Sequence, residues 1–386
     1  MKILYISDVY FPRVNGVSTS IRTFVKQLQQ LGHQVDLIAP DYGAVTQDDA
    51  FIKRVSAYSI YFDPEDKLMK YGDALKLLPE LQQEKYDLIH IHTPFVAHYL
   101  GVKLSQLLNI PCVETYHTFF EDYLHHYLPW IPQQLARGLA RIISKRQCNA
   151  VNAIIAPSQP MLDVLRGYGV ATKAEVIPTG LQTHSFVQAD GEAFRAKYNI
   201  APDRPMLLYV GRVAFEKNIT FLLEMAKSLV ENHPNILLVV TGEGPAEKML
   251  HHLAKKLKLE QNIQFIGYLD RDTELNACYK SADIFVFSSK SETQGLVLLE
   301  AMAQGTPVVA IAELGTASIL IEGEGAMIAP DNVKGFAEKI NALILHPEQR
   351  KALGEKARNY ALNRWAASIQ AERLIIFYKT IRQIVS

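Results

Sequence analysis

The chain has 386 residues, 48% hydrophobic and 21% charged, more than one hydrophobic core usually serves, which predicts two domains of ordinary globular make-up. Lysine plus arginine equals aspartate plus glutamate, 40 of each, so no global field draws nucleic acid and any attraction to an anion must be local. Cys112, Cys148 and Cys278 stand far apart without metal-ligand spacing, which fits a reducing cytosol, and no stretch approaches the ~20 apolar residues of a membrane span.

Lys2 to Ser7 reads as a strand, and its apolar run meets Asp8 too soon to be the apolar region of a signal peptide. Asp8 to Val17 is a turn carrying Pro12 and Gly16, followed by a helix that Ser18 or Thr19 can cap, ended by Gly32. Gln34 to Ala39 is the next strand, which makes a βαβ opening. Only Gly16 is present of a G-x-G-x-x-G pattern, so a dinucleotide reading is weak, and a lone glycine also fits a tight turn. Residues 41 to 75, with Asp48-Asp49 and Asp63 to Asp66, read as strand fragments and loops. Tyr86 to His92 is a strand, Val96 to Leu108 a helix, and Pro111 to Tyr116 a strand opening on His117. His90, His92, His125 and His126 take the ordinary structural or solvated reading. His117, just past a strand end, points into the same crevice as the glycine loop. No side-chain base stands out; Asp8 and Glu114 could contribute, but both also have ordinary structural explanations.

The helix after Pro132 has Leu135, Leu139, Ile142 and Ile143 on one face and Arg137, Arg141 and Lys145 on the other. The apolar stripe is expected to pack on its own domain. The basic stripe can then meet anionic lipid, each charge contributing about 1 kcal/mol, with Trp130 and Ile131 at the head of the segment. Val151 to Ser158 and Ala174 to Thr179 complete the first sheet. Composition turns polar and irregular from Gly180 to Pro205, which puts the connection near residue 200, with domains 1–200 and 201–365.

Met206 to Val210 starts a fresh strand-turn-helix unit, and Arg212 and Lys217 lie in its turn, where two cations beside a helix start can clamp a diphosphate. Ile236 to Thr241 runs into a turn at Gly242, and Asn262 to Gly267 ends at Tyr268 and Leu269. Asp270-Arg-Asp272 reads as a cap for the helix after it. Asp283 to Phe287 is a buried parallel strand, polar Ser288 to Gln294 follow, and Gly295 to Ala303 is a helix stopped by Gly305. Glu292 lies in that loop and Glu300 two turns into the helix, while the helix start beside Thr293, Gln294 and Gly295 offers N–H groups to an anion. Ile311 to Ile328 is a loop and strand, and helices follow near 333–344 and 348–360. A last helix over 366–386 has Ile369, Leu374, Ile376 and Phe377 to bury.

These stretches carry a resemblance. Glu292 to Glu300 with the following Gly305-Thr-Pro-Val-Val309 resembles the E-x7-E motif of the retaining glycosyltransferases of family 4, enzymes of the α/β GT-B fold. Gly211 to Asn218 resembles the family's G-R-x4-K-N diphosphate motif, and Thr115 to Thr118 its short histidine motif. Thr115 to Tyr127 and Ser291 to Gly295 look most like the diacylglycerol α-glucosyltransferases. The resemblance covers essentially the whole chain and implies two Rossmann-like, doubly wound domains facing across a cleft, with the last helix crossing back to the first.

By that resemblance Glu292 holds the donor sugar's hydroxyls and Glu300 the ribose, and the backbone of Thr293, Gln294, Gly295 and Leu296 touches sugar and phosphate. Arg212 and Lys217 neutralise the diphosphate, so that no metal or other cofactor is required. Gly242 lines the nucleotide pocket, Tyr268 and Leu269 flank the base, the Gly16 loop meets phosphate and acceptor, and His117 orients the sugar without acting as general base. The implied reaction is transfer of a hexose, with retention, from UDP-glucose to a lipid such as diacylglycerol. The enzyme would be cytoplasmic and peripheral on the inner face of the cell membrane. GDP-mannose as donor, a soluble or phosphoinositide acceptor, and a non-catalytic sugar-nucleotide-binding subunit are the competing readings.

Overall fold

The computed structural model describes residues 1–43, 50–60, 63–117, 133–271 and 273–385. Asp48, Asp49, Thr118, Asp272 and the stretch from Phe119 to Trp130 and Ile131 lie outside the described residues. The chain divides into two compact units, Met1–Gly180 with Ala367–Ser386, and Leu181–Ala366.

In the first unit the strands are β1 (Lys2–Ile6), β2 (Gln34–Pro40), β3 (Ile52–Val55), β4 (Ala57–Ile60), β5 (Asp63–Met69), β6 (Leu88–Ile91), β7 (Cys112–Thr115), β8 (Ala153–Ala156) and β9 (Lys173–Val176). Among the described residues seven of them form one parallel sheet, in the order β3-β2-β1-β6-β7-β8-β9, with β4 and β5 as a separate antiparallel ribbon. Strand order reverses between β1 and β6, which opens a crevice beyond their carboxyl ends. Along β1 the side chains alternate between two cores. Leu4 and Ile6 join one with the helix Val96–Leu108, and Ile3 and Tyr5 join the other with the helices Gly16–Gln30 and Ala367–Val385.

That last helix buries Leu374, Ile375, Phe377, Tyr378 and Ile381 in the first unit, at about 2 kcal/mol for each large apolar side chain. Ile369 and Ile376, expected inside, are exposed, because a spacing of seven places both on the face turned away. The helix Gly16–Gln30 is capped by Asn15, whose Oδ1 accepts from Ser18 N at 2.9 Å, rather than by Ser18 or Thr19. Gly16 is thus its first residue.

The second unit contains β10 (Met206–Val210), β11 (Leu237–Thr241), β12 (Ile263–Gly267), β13 (Ile284–Phe287), β14 (Val308–Ala310) and β15 (Ala326–Ile328). They form a parallel sheet in the order β12-β11-β10-β13-β14-β15, reversing between β10 and β13. The connection expected near residue 200 lies at Gly180 instead. Leu181 N donates to Trp365 O, Phe194 joins the second core, and Arg195 bonds Ser281 O and Asp283, so residues 181–200 belong to the second unit.

The helix Gln133–Cys148 also differs from expectation. It buries Ala140, Ser144, Gln147 and Cys148, the small and polar side, while Leu135 (66% exposed), Leu139 and Ile142 face outward with Arg137, Arg141 and Lys145. Tyr116 claims this side through its hydroxyl, 2.8 Å from Ser144 Oγ. No helix of the described residues is long and apolar enough to cross a membrane.

Candidate active site

The reversal between β10 and β13 decides which loops of the second unit become neighbours. After β10 the chain passes Gly211 and Arg212 and makes a short turn, Phe215–Lys217, before Asn218 in left-handed conformation starts the helix Ile219–Val230. After β13 it passes the buried Ser288 and Ser289 to Glu292. The two loops are tied together, since Ser288 Oγ donates to Asn218 O at 2.9 Å and Asn218 Nδ2 to Ser288 O at 3.3 Å. This places Lys217 beside Glu292, and Lys217 Nζ donates to Glu292 Oε1. Both side chains keep about a fifth of their surface in contact with solvent.

The loop after β11 closes on the same region. Gly242 has φ +120°, and a Cβ there would lie 2.0 Å from Gly211 O, so only glycine lets the two turns nest. Val213 N donates to Glu243 O at 2.9 Å and Ala246 N to Val213 O at 3.0 Å, which fixes the backbone around half-buried Arg212. At the end of β12, Tyr268 is half exposed and Leu269 is buried against the core.

The stretch from Glu292 to Gly295 is pinned from behind. Gly315 N donates to Glu292 O at 2.8 Å, and a Cβ on Gly315 would lie 2.2 Å from Thr293 O. Gln294 is buried, and the helix Leu296–Ala303 begins one residue later than expected, after Gly295 at φ +91°, with no side-chain cap among the described residues at that end. Glu300 is buried on that helix. Its carboxylate pairs with Arg271 and accepts from Tyr279 OH at 2.7 Å. The Glu300 charge holds the Arg271 guanidinium above its usual range, and burial first, then Glu300, raises the Tyr279 hydroxyl. Arg271 and Tyr279 were not singled out in the sequence. Arg271 hides inside Asp270-Arg-Asp272, and its only signal was a cation among acids. Among the described residues no group of three or more His, Cys, Asp or Glu could hold a metal ion.

In the first unit, an added Cβ on Gly16 meets nothing within 4 Å among the described residues, and Gly16 has no left-handed φ, so neither a tight turn nor packing against those residues demands glycine there. His117 is half-buried, with its Nε2 3.2 Å from His92 Nδ1. Burial takes its imidazole down to about 4, so it is neutral near pH 7. Asp8 accepts from Ala97 N at 3.0 Å and Thr93 Oγ1 at 2.8 Å, closing the start of the helix Val96–Leu108, and burial pushes its carboxyl up to about 7. Glu114 Oε2 lies 2.9 Å from His98 Nδ1 in a buried pair.

The sequence profile of Glycosyltransferase Family 4 matches residues 14–185 and that of Glycosyl transferases group 1 matches residues 190–360. The α-monoglucosyldiacylglycerol synthase of Streptococcus pneumoniae is 34% identical over 322 residues, 80% of this chain and 71% of that protein. The chain belongs to glycosyltransferase family 4. This glycosyltransferase is a hexosyltransferase by class, and it is also 28% identical over 322 residues to the α-monoglucosyldiacylglycerol synthase of Acholeplasma laidlawii, covering 80% of each chain. Its GT-B fold, with two Rossmann-like domains, is that of Anabaena HepE, crystallised with UDP-glucose. The TM-score is 0.76 at 19% identity, over 98% of this glycosyltransferase and all of HepE.

Proposed function

We propose that this glycosyltransferase moves glucose from UDP-glucose to the free hydroxyl of a diacylglycerol-type lipid, with retention, giving an α-glucoside. The observation that carries this reading is the Lys217–Glu292 pair, set at the carboxyl ends of adjacent strands where the sheet order reverses. Glu292 accepts from the sugar's hydroxyls, and Lys217 and Arg212 take up the charge that grows on the departing diphosphate. Glu300, steadied by Arg271 and Tyr279, accepts from the ribose. The backbone of Gly242 and of Thr293 to Leu296 lies along phosphate and sugar, and Tyr268 flanks the base.

The bond between the anomeric carbon and the phosphate oxygen breaks, and the acceptor oxygen bonds to that carbon on the same face. The acceptor's proton passes to the departing phosphate oxygen. His117 stays neutral and orients the sugar, and Gly16 leaves room for donor phosphate and acceptor. The relatives named α-monoglucosyldiacylglycerol synthase support the lipid acceptor and the α product, and UDP-glucose bound to HepE supports the donor.

The first unit takes the acceptor from the membrane surface. Leu135, Leu139 and Ile142 are exposed on the same helix as Arg137, Arg141 and Lys145, a combination suited to lying in an anionic interface. We place the enzyme peripherally on the cytoplasmic face. The test is a panel of radiolabelled UDP- and GDP-sugars offered with diacylglycerol vesicles. Glucose transfer from UDP-glucose to lipid is expected, and transfer to soluble sugars with no dependence on vesicles would defeat the lipid reading.

A further inference from the structure

The proposed transfer makes no use of the buried pair of His98 and Glu114, yet one end of that pair faces a cavity. Glu114 Oε2 holds His98 Nδ1 at 2.9 Å, and Nε2 on the far side of the ring has no hydrogen bond among the described residues. With only 3% of its side chain exposed, His98 lines an open cavity of about 580 Å³ in the first unit. The cavity lies between the helices Val96–Leu108 and Gln133–Cys148, and its size is that of a small-molecule site.

Burial sorts the residues that line it. Buried His98 and Gln147 form the floor, half-buried Val102 and Ile143 the walls, and exposed Lys103 and Arg146 the rim. Gln147 Nε2 donates to Pro94 O at 2.6 Å, so its amide oxygen is left to accept. The Glu114 carboxylate draws the proton to Nδ1 of His98, so Nε2 of the neutral ring is a second acceptor. Two acceptors on the floor call for hydroxyl donors, and a hydroxyl also suits a charged ring because it can accept in turn. The rim is the reverse. Lys103 and Arg146, one from each helix, have no ion pair among the described residues, and none of those residues lining the cavity is an acid.

We propose that this cavity is a second ligand site, for the phosphate ester of a polyol: the phosphate lies between Lys103 and Arg146, and the hydroxyls reach His98 Nε2 and Gln147 Oε1. The C–H faces of the polyol meet Val102 and Ile143. A glycerophosphate group has this layout, whether in solution or as the head of an anionic lipid. A fatty acid lacks the hydroxyls, and diacylglycerol lacks the charge. Glu114 acts as a positioning residue that fixes the ring of His98. This site does not depend on which donor or acceptor the enzyme uses.

Paired probes on the full chain test it, with UDP saturating so that the diphosphate clamp is filled. In calorimetry, sn-glycerol 3-phosphate should bind about tenfold tighter than methyl phosphate, the same anion without hydroxyls. In cosedimentation, phosphatidylglycerol vesicles should hold the enzyme about tenfold more tightly than phosphatidylmethanol vesicles of equal charge. A preference in the soluble pair alone identifies a dissolved polyol phosphate as the ligand, and one in the vesicle pair alone identifies a lipid head group. The double variant Lys103→Gln, Arg146→Gln changes exposed side chains only. It should abolish the preference in either arm and leave UDP affinity unchanged. Equal binding within both pairs, or a preference that survives the double variant, overturns the proposal.

Discussion

Lys217 Nζ and Glu292 Oε1 are joined between loops that leave neighbouring strands of the second unit, so the cation and the acid neutralise each other before any donor arrives. A bound diphosphate offers Lys217 a stronger partner, and the sugar's hydroxyls offer Glu292 donors in exchange. Lys217→Ala and Arg212→Ala should each lower transfer by about 100-fold or more, the scale of losing one preorganised group facing transition-state charge. Unfolding temperature should change little. Near-normal turnover in both variants would reject the clamp.

Glu300 predicts sugar discrimination within the nucleotide. Glu300→Gln loses the ion pair with Arg271 and replaces one carboxylate acceptor with an amide. UDP affinity by calorimetry should fall about tenfold, and the preference of UDP over 2′-deoxy-UDP should largely vanish. An unchanged preference would move the ribose elsewhere.

Asp8 predicts a pH dependence of stability. Its carboxyl is pushed by burial from 3.8 up to about 7. Between about pH 4 and 7 the unfolded chain has released this proton while the folded chain retains it, so stability falls as pH rises through that window. Asp8→Asn removes that slope. Urea unfolding at intervals across the window should show the wild type losing stability relative to the variant, and parallel curves would contradict the burial effect.

The outward face of the helix Gln133–Cys148 predicts vesicle binding. Reversing Arg137, Arg141 and Lys145 to glutamate, or changing Leu135, Leu139 and Ile142 to serine, should abolish cosedimentation with anionic vesicles, since each charge contributes about 1 kcal/mol. Transfer to detergent-dispersed acceptor should persist. Undiminished cosedimentation of both triple variants would exclude this helix as the contact.

Gly315→Ala should disturb the site without touching an ionisable group, because its Cβ would lie 2.2 Å from Thr293 O. Overpacking of this kind costs about 1–3 kcal/mol. Calorimetric unfolding and donor affinity should both decline, and a variant with wild-type values of each would show that the turn does not need this support.

The strands were legible because parallel strands covered on both faces read as short apolar runs, as Ile284 to Phe287 and Met206 to Val210 do. That Lys217 and Glu292 stand in loops past strand ends was legible because the apolar runs before them mark where β10 and β13 stop. What escaped depended on packing partners distant in sequence. Residues 181–200 look like a linker until Phe194 and Arg195 find β13 and its neighbours. The helix Gln133–Cys148 turns its small and polar side inward because Tyr116 meets Ser144, a choice that periodicity cannot make. Arg271 could not be paired with Glu300 across 29 residues from spacing alone.

The helix Ala367–Val385 has a bearing on how the protein is made. Tyr5 leaves the ribosome 373 residues ahead of its hydroxyl partner Tyr378, which stands 3.1 Å away in the finished protein. Until the helix Ala367–Val385 emerges, the flank of the amino-terminal sheet that bears Tyr5 therefore has only the helix Gly16–Gln30 of the two that cover it. Releasing a nascent chain short of Ala367 would leave Ile3, Tyr5 and Val113 permanently open to aggregation, whereas the intervening unit already holds every strand of its own sheet.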